Sequence, residues 1–139
     1  MNKKLILALI ATFPISSYAN CTLPSQLDGV SLTTLSNPLY SSVHVNAGTL
    51  ANIKFDVDTY DYQSLNRKTS YTGHYSYSVV DSLNGIAILR GFKGSNLSEL
   101  LYTYTFKCVS DKSGTAIYTQ QKSSKVAEPK QNTFFYAIN

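Results

Sequence analysis

Several residue types that carry protein chemistry are scarce in this chain. Its 139 residues include no tryptophan, two histidines and two cysteines, and only 14% of them are charged. The two glutamates, Glu99 and Glu128, are not spaced as an acid/base pair, and no G-x-S-x-G nucleophile motif occurs. A hydrolase needs an activated nucleophile or a positioned acid and base. We therefore expect a protein that is not an enzyme and that carries no cofactor.

The histidines and the aspartates do not change this expectation. His44 and His74 are isolated, and His74 is followed by serines on the polar face of a predicted strand. Asp56, Asp58 and Asp61 loosely resemble an oxygen-rich calcium loop, but the central glycine and the distal glutamate of such a loop are missing. We expect no catalytic histidine and no metal site.

The one long apolar run lies at the N-terminus. Two lysines precede the apolar run Leu5–Ile15, and Ser17 and Ala19 then form the small-x-small pattern of a signal-peptidase site. The run is far shorter than the roughly 20 residues that span a bilayer. We predict a signal peptide over residues 1–19, a single domain over 20–139, a periplasmic or secreted location and no stable membrane insertion.

The two cysteines remain after this cleavage. Cys21 follows the predicted cut, but Asn20 stands where a lipidation site needs a small residue. In an oxidising compartment, an even pair in a small domain indicates a disulfide, here between Cys21 and Cys108. Without the two lysines of the leader, ten basic residues face eight acidic ones, a net charge of +2 with no long basic run. Nucleic acid is therefore not an expected partner.

The rest of the chain alternates apolar and polar residues in short runs, which is typical of an all-β domain. Glycine, asparagine, aspartate and serine separate the runs. The predicted strands are Gly29–Leu35, Leu39–Val45, Leu50–Thr59, Tyr71–Val79, Ile86–Phe92, Leu100–Val109, Thr115–Gln121 and Asn132–Asn139. Ser110–Gly114 is predicted as a tight turn, and Ser95–Leu101 is a weak helical alternative.

Short turns favour pairing of successive strands, and closing the sheet removes its two edges. About eight strands close into a barrel that side chains fill or that holds one small ligand. We therefore predict an antiparallel β-barrel of about eight strands with one disulfide, and a two-layer sandwich is the alternative.

Tyrosine is abundant, with eleven residues in the chain. Tyrosine packs as a hydrophobe and keeps a polar tip, so inward tyrosines either fill a core or form the wall of a ligand cavity. Period-two alternation places five of them on inward faces, and these are the candidate ligand-binding residues: Tyr71, Tyr75, Tyr77, Tyr102 and Tyr104.

Two stretches carry a resemblance to a known family. "LDGVSL" is similar to the glycine-marked entry into the first strand of lipocalin-like (calycin) barrels. The run "GHYSYSVVDSLNGIAIL…LYTYTFKCVSDKSGTAIY" resembles the central hairpins of small bacterial lipocalin-like domains. The resemblance implies a barrel that binds a small apolar ligand in its interior. We also expect the protein to be a monomer.

A weaker resemblance points to a protein partner. "SGTAIY", residues 113–118, is similar to the Ser-Gly loop of periplasmic lysozyme inhibitors, which inserts into the cleft of the target enzyme. This resemblance implies that Ser113, Gly114 and Tyr118 contact a partner. The alternative function is therefore an inhibitor or immunity protein that blocks a hydrolase or a toxin.

In either case we expect loops to carry specificity, because the strand faces of a barrel are committed to core or solvent. The candidate loops are Tyr62–Ser70, Lys93–Glu99 and Lys122–Lys130. Two of them are net basic, which favours an anionic group on the ligand or partner.

Overall fold

The computed structural model of the protein describes residues 20–39, 46–122 and 128–139, and the predicted leader lies outside them. Eight strands form one antiparallel sheet. They are β1 Ser31–Ser36, β2 Leu50–Phe55, β3 Thr59–Ser64, β4 Ser70–Asp81, β5 Ile86–Phe92, β6 Leu100–Ser110, β7 Ser113–Gln120 and β8 Lys130–Ile138. Each strand pairs with the next, and β1 also pairs with β8, so that the sheet closes into a barrel. The predicted all-β barrel is confirmed.

Helix is absent from these described ranges, so the helical alternative over Ser95–Leu101 is wrong. Ser95–Glu99 is a loop instead, in which Leu97 has a φ of 53°, and Leu100 and Leu101 begin β6. The same ranges contain no helix long and apolar enough to cross a bilayer.

The second and third strands differ from the sequence prediction. The predicted strand Leu50–Thr59 ends at Phe55, because the chain turns through residues 56–58 and the Asp56 amide bonds to the Thr59 carbonyl at 2.9 Å. Val57 is 77% exposed in this turn. The predicted loop Tyr62–Ser70 begins inside β3, which the sequence prediction missed. Asp61 and Gln63 face outward in β3, and these two polar residues gave the strand a composition typical of a loop.

The last strands also begin earlier than predicted. The predicted turn Ser110–Gly114 is only two residues long, and β7 starts at Ser113. The predicted strand Leu39–Val45 falls, from residue 40 onward, outside the described residues.

The strand order gives the barrel two different ends. The connections β1–β2, β3–β4, β5–β6 and β7–β8 meet at one end, which we call the open end. The short turns β2–β3, β4–β5 and β6–β7 meet at the other end. The segment 20–30 precedes β1 and therefore lies at that second end, which we call the plugged end.

The N-terminal segment covers the plugged end of the barrel. Cys21 is bonded to Cys108 near the end of β6, as predicted, and both cysteines are buried. Leu27 is 4% exposed and belongs to the hydrophobic core. The Tyr77 hydroxyl donates to the Pro24 carbonyl at 2.9 Å. Because the disulfide spans 87 residues, it stabilises the fold by on the order of 4 to 5 kcal/mol in the chain-entropy model.

Three tyrosines of the interior lie directly across from a glycine on the neighbouring strand. The register partners are Tyr60 with Gly73, Tyr102 with Gly91, and Tyr136 with Gly114. A Cβ atom on Gly73 would lie 2.5 Å from the Tyr60 hydroxyl oxygen, and one on Gly114 would lie 2.6 Å from that of Tyr136. Because glycine has no side chain, each of these glycines leaves space that the opposite tyrosine ring fills.

Candidate functional site

The middle of the barrel is filled by aromatic side chains. Tyr104 stacks on Phe106 with ring centroids 5.9 Å apart and meets Phe134 edge-on at 5.5 Å. The Phe106 ring meets Tyr136 edge-on at 5.2 Å. The cavity that remains among these rings has a volume of about 20 Å³, which is room for about one water molecule.

Open space lies instead at the open end, in two depressions of about 610 and 600 Å³. Tyr71, Tyr118 and Gln120 line both of them. The first depression also touches the β3–β4 loop and the start of β8, and the second touches the end of β5 and the start of β6. We call the two depressions together the mouth. Their size falls within the range of small-ligand sites, roughly 300 to 1,000 Å³.

A gap in strand pairing accompanies the second depression. β4 pairs with β3 over Ser70–His74, but it pairs with β5 only from His74 onward. Residues 70–73 therefore have no partner strand on the β5 side within the described residues. This shortfall opens the barrel wall beside Tyr71, which is half exposed although it belongs to the inward set.

The predicted ligand-binding tyrosines divide between the two ends of the barrel. Tyr71, Tyr102 and Tyr104 line the small interior cavity, and all three also reach the mouth. Tyr75 and Tyr77 lie further down β4. The Tyr75 hydroxyl donates to the Asp56 carbonyl at 2.6 Å, and that of Tyr77 donates to the N-terminal segment. These last two hydroxyls hold the plugged end together.

The mouth tyrosines form a continuous layer of rings. Tyr62 and Tyr71, partners across β3 and β4, are stacked with centroids 4.6 Å apart. Tyr118 packs 5.1 Å from Tyr104 and 5.7 Å from Tyr102. An aromatic or apolar ligand can stack on such a surface without a change of the barrel.

Burial raises the pKa values of these phenols above the ordinary tyrosine value of 10.0. Desolvation, followed by the neighbouring Tyr60 and Tyr62, raises the pKa of Tyr118 to about 12. Burial is also the first cause of the raised pKa of Tyr71, with Tyr60, Tyr62 and Tyr118 adding to it. Burial raises the pKa of Tyr62, although the positive charge of Arg67 partly opposes this. The mouth therefore presents neutral hydroxyl groups that can donate hydrogen bonds.

The residues of the Ser-Gly motif lie on β7 rather than on a protruding loop. Ser113 and Gly114 are the first two residues of the strand, at the plugged end. The Ser113 and Ser110 hydroxyl oxygens lie 2.8 Å apart across the turn. Tyr118 is near the other end of β7, where its ring lines the mouth. The strand separates Ser113 from Tyr118 by five residues, about 16 Å at an ordinary strand rise.

Of the two histidines, the structure describes His74. His44 lies outside the described residues. His74 is on the outer face of β4, opposite Phe92 of β5, and its buried Nδ1 has no hydrogen-bond partner in the described part of the chain. Within that part, no group of three or more histidine, cysteine, aspartate or glutamate side chains could hold a metal ion.

Sequence reasoning missed several residues of the mouth. Tyr62 was assigned to a polar loop, and Gln120 and Asn132 were assigned no role, although all three line the first depression. The available signal was the alternation of Tyr60, Tyr62 and Ser64, a period of two that starts again in the opposite phase after the short turn that follows β2.

The three predicted specificity loops all lie at the open end, where they connect β3 with β4, β5 with β6 and β7 with β8. Within the first, Arg67 Nη2 donates to the Ala47 carbonyl at 2.9 Å, which ties this loop to the β1–β2 connection. In the second, Lys93 and Glu99 form an exposed ion pair at 3.2 Å. The third is described only at residues 122 and 128–130.

Comparison with known proteins gives no relative for this chain: no protein-family model, no curated protein and no solved structure matches it.

Proposed function

We propose that the protein is a non-enzymatic, exported binding protein that holds a small, largely apolar ligand at the open end of its barrel. The observation that carries this proposal is the mouth itself: two adjoining depressions of about 610 and 600 Å³ that share Tyr71 and Tyr118. The interior below them has only about 20 Å³ of free volume, so the ligand stacks on the upper rings rather than lying at the centre.

The rest of the barrel supports a rigid scaffold for this site. The plugged end is covered by a segment that a disulfide and the Tyr77 hydrogen bond hold in place. A ligand therefore enters from the loop end, where the connections are longer. The disulfide is consistent with an oxidising compartment, and a periplasmic or secreted location is part of the proposal.

The inhibitor hypothesis stays a prediction. Because Ser113 and Tyr118 lie at opposite ends of β7, their positions add no support for a loop that inserts into an enzyme cleft. Monomeric state is likewise a prediction.

Binding of the neutral dye N-phenyl-1-naphthylamine, followed by its fluorescence, tests the proposal. We expect saturable binding that Tyr118→Ala weakens by about tenfold, because a buried aromatic contact is removed. The matched control is Ile117→Ala, one residue away on the outer face, where Ile117 is 49% exposed. It should leave the affinity unchanged. Equal affinities for the wild type and Tyr118→Ala would show that the mouth is not the binding site.

A further inference from the structure

Charge is segregated between the two ends of the barrel. At the open end, the described basic and acidic residues are Arg67, Lys68, Lys93, Lys122, Lys130, Glu99 and Glu128. At the plugged end and the strand ends beside it, they are Lys54, Lys107, Lys112, Asp28, Asp56, Asp58, Asp61, Asp81 and Asp111. Arg90, which faces outward near the middle of β5, is counted with neither end. Basic residues therefore exceed acidic ones by three at the open end, and acidic residues exceed basic ones by three at the plugged end.

The excess of basic over acidic residues is also found in the first depression of the mouth. Its described lining includes Arg67, Lys68 and Lys130 and no acidic side chain. Lys68 belongs to the β3–β4 loop and Lys130 begins β8, so that positive charge approaches the depression from two sides. The Arg67 amide bonds to Ser64 Oγ at 2.9 Å, and its guanidinium reaches the Ala47 carbonyl, which fixes this charge close to Tyr62.

The tyrosines of the mouth do not oppose this positive field. Their phenols are neutral at physiological pH, as a tyrosine with an ordinary pKa near 10.0 already is, and desolvation raises the pKa of both Tyr118 and Tyr71 above that value. A neutral hydroxyl donates a hydrogen bond to an anionic oxygen, whereas a tyrosinate would repel it. Rings, phenol donors and cations thus meet in one open depression.

We propose that the ligand of the mouth is an aromatic anion, such as an arylcarboxylate or an arylsulfonate. Its ring stacks on Tyr71 and Tyr118, and its anionic group points toward Lys68 and Lys130. This inference rests on the proposed function, since it names the chemical class that the same site selects. A cationic ligand finds no countercharge in the described lining, and a neutral ligand uses only the rings.

Two dyes with one aromatic skeleton separate the contribution of charge from that of the rings. The first is 8-anilino-1-naphthalenesulfonate, and the second is N-phenyl-1-naphthylamine, which lacks the sulfonate. We expect the double variant Lys68→Gln/Lys130→Gln to weaken binding of the anionic dye about threefold to tenfold, which is typical of two exposed charge interactions. Binding of the neutral dye should change by less than about twofold. Raising the salt concentration should reduce the difference in affinity for the anionic dye between the wild type and this double variant, because exposed charges are screened.

The control is Lys54→Gln/Lys112→Gln, which removes the same charge from the plugged end, and circular dichroism verifies that both double variants fold. This control should bind both dyes as the wild type does. An equal loss of affinity for the anionic dye in the control would show that only the net charge of the protein acts, and this would overturn the inference. An unchanged affinity of Lys68→Gln/Lys130→Gln for the anionic dye would overturn it as well. In both cases the proposed function would stand, provided that Tyr118→Ala still weakens binding. If neither dye binds the wild type, the proposed function fails, and this inference fails with it.

Discussion

The ring of Tyr102 on β6 occupies the space in front of Gly91, its direct partner on β5. A Cβ atom at residue 91 would overlap this ring, and the ring is held in turn by Tyr60, Tyr104 and Tyr118, with centroids 5.5 to 6.2 Å away. The glycine is therefore part of the packing of the barrel. The Gly73–Tyr60 and Gly114–Tyr136 pairs repeat the arrangement on other strands.

We predict that Gly91→Ala destabilises the protein by about 1 to 3 kcal/mol, the usual cost of forcing extra volume into a packed core. The change also restricts the unfolded chain, which offsets about 0.4 to 1 kcal/mol of this cost and leaves a net destabilisation of up to about 2.5 kcal/mol. Chemical denaturation measures this change in the free energy of unfolding. Gly94→Ala in the β5–β6 loop is the matched control, since its added Cβ meets only Asn96 Oδ1 at 3.3 Å. Identical unfolding midpoints for the two variants would contradict the packing role.

Removal of the disulfide is expected to cost about 2 to 5 kcal/mol in the double variant Cys21→Ala/Cys108→Ala. The bond closes 87 residues and holds the N-terminal segment over the plugged end. Denaturation of the oxidised wild type and of the variant measures the difference. Reduction of the wild type should shift its midpoint to that of the variant, and a midpoint unaffected by reduction would refute the prediction.

Stability should fall at alkaline pH. Burial raises the pKa of Tyr77 to about 12, with a smaller contribution from Tyr136, and burial alone raises that of Tyr136 to about 12. An unfolded tyrosine ionises near 10.0, so above that pH the unfolded state loses protons that the folded state keeps. The contribution of these groups to stability is fully present below pH 10 and is lost as the pH rises from about 10 to 12.

Absorbance of tyrosinate near 295 nm follows this titration. The raised pKa values predict a late, cooperative increase that coincides with unfolding, in place of a gradual increase centred on pH 10. Tyr118→Phe removes one such group, and the free energy of unfolding of this variant should depend less steeply on alkaline pH. A gradual titration centred on pH 10 in the folded protein would contradict the assignment.

Much of the barrel could be predicted from local pattern. β5 was predicted with its observed bounds, Ile86–Phe92, because its apolar run ends at turn residues on both sides. β3 could not be predicted so easily, since its strand character depends on pairing with β2 and β4 rather than on its own mixed composition. Pairing with the neighbouring strands therefore determined the conformation of β3, although its own sequence gave only a weak strand signal.

The candidate site could be predicted only in part. Alternation identified Tyr71, Tyr102 and Tyr104 as inward residues, but it gave no position along the barrel axis. Tyr75 and Tyr77 share that inward face, and register alone puts them toward the plugged end. The mouth also depends on where β4 loses its second partner, which is a property of strand lengths that no single segment encodes.

The hydroxyls of Tyr75 and Tyr77 provide a final test of the plugged end. The first donates to Asp56 in the β2–β3 turn and the second to Pro24 in the N-terminal segment. We predict that Tyr77→Phe lowers the free energy of unfolding by about 1 kcal/mol, the net value of an ordinary hydrogen bond. It should also speed hydrogen exchange in the N-terminal segment. Tyr75→Phe is the matched variant, with a similar loss of stability and faster exchange near Asp56 instead. The same exchange pattern in both variants would mean that these hydroxyls do not anchor separate segments of the plugged end.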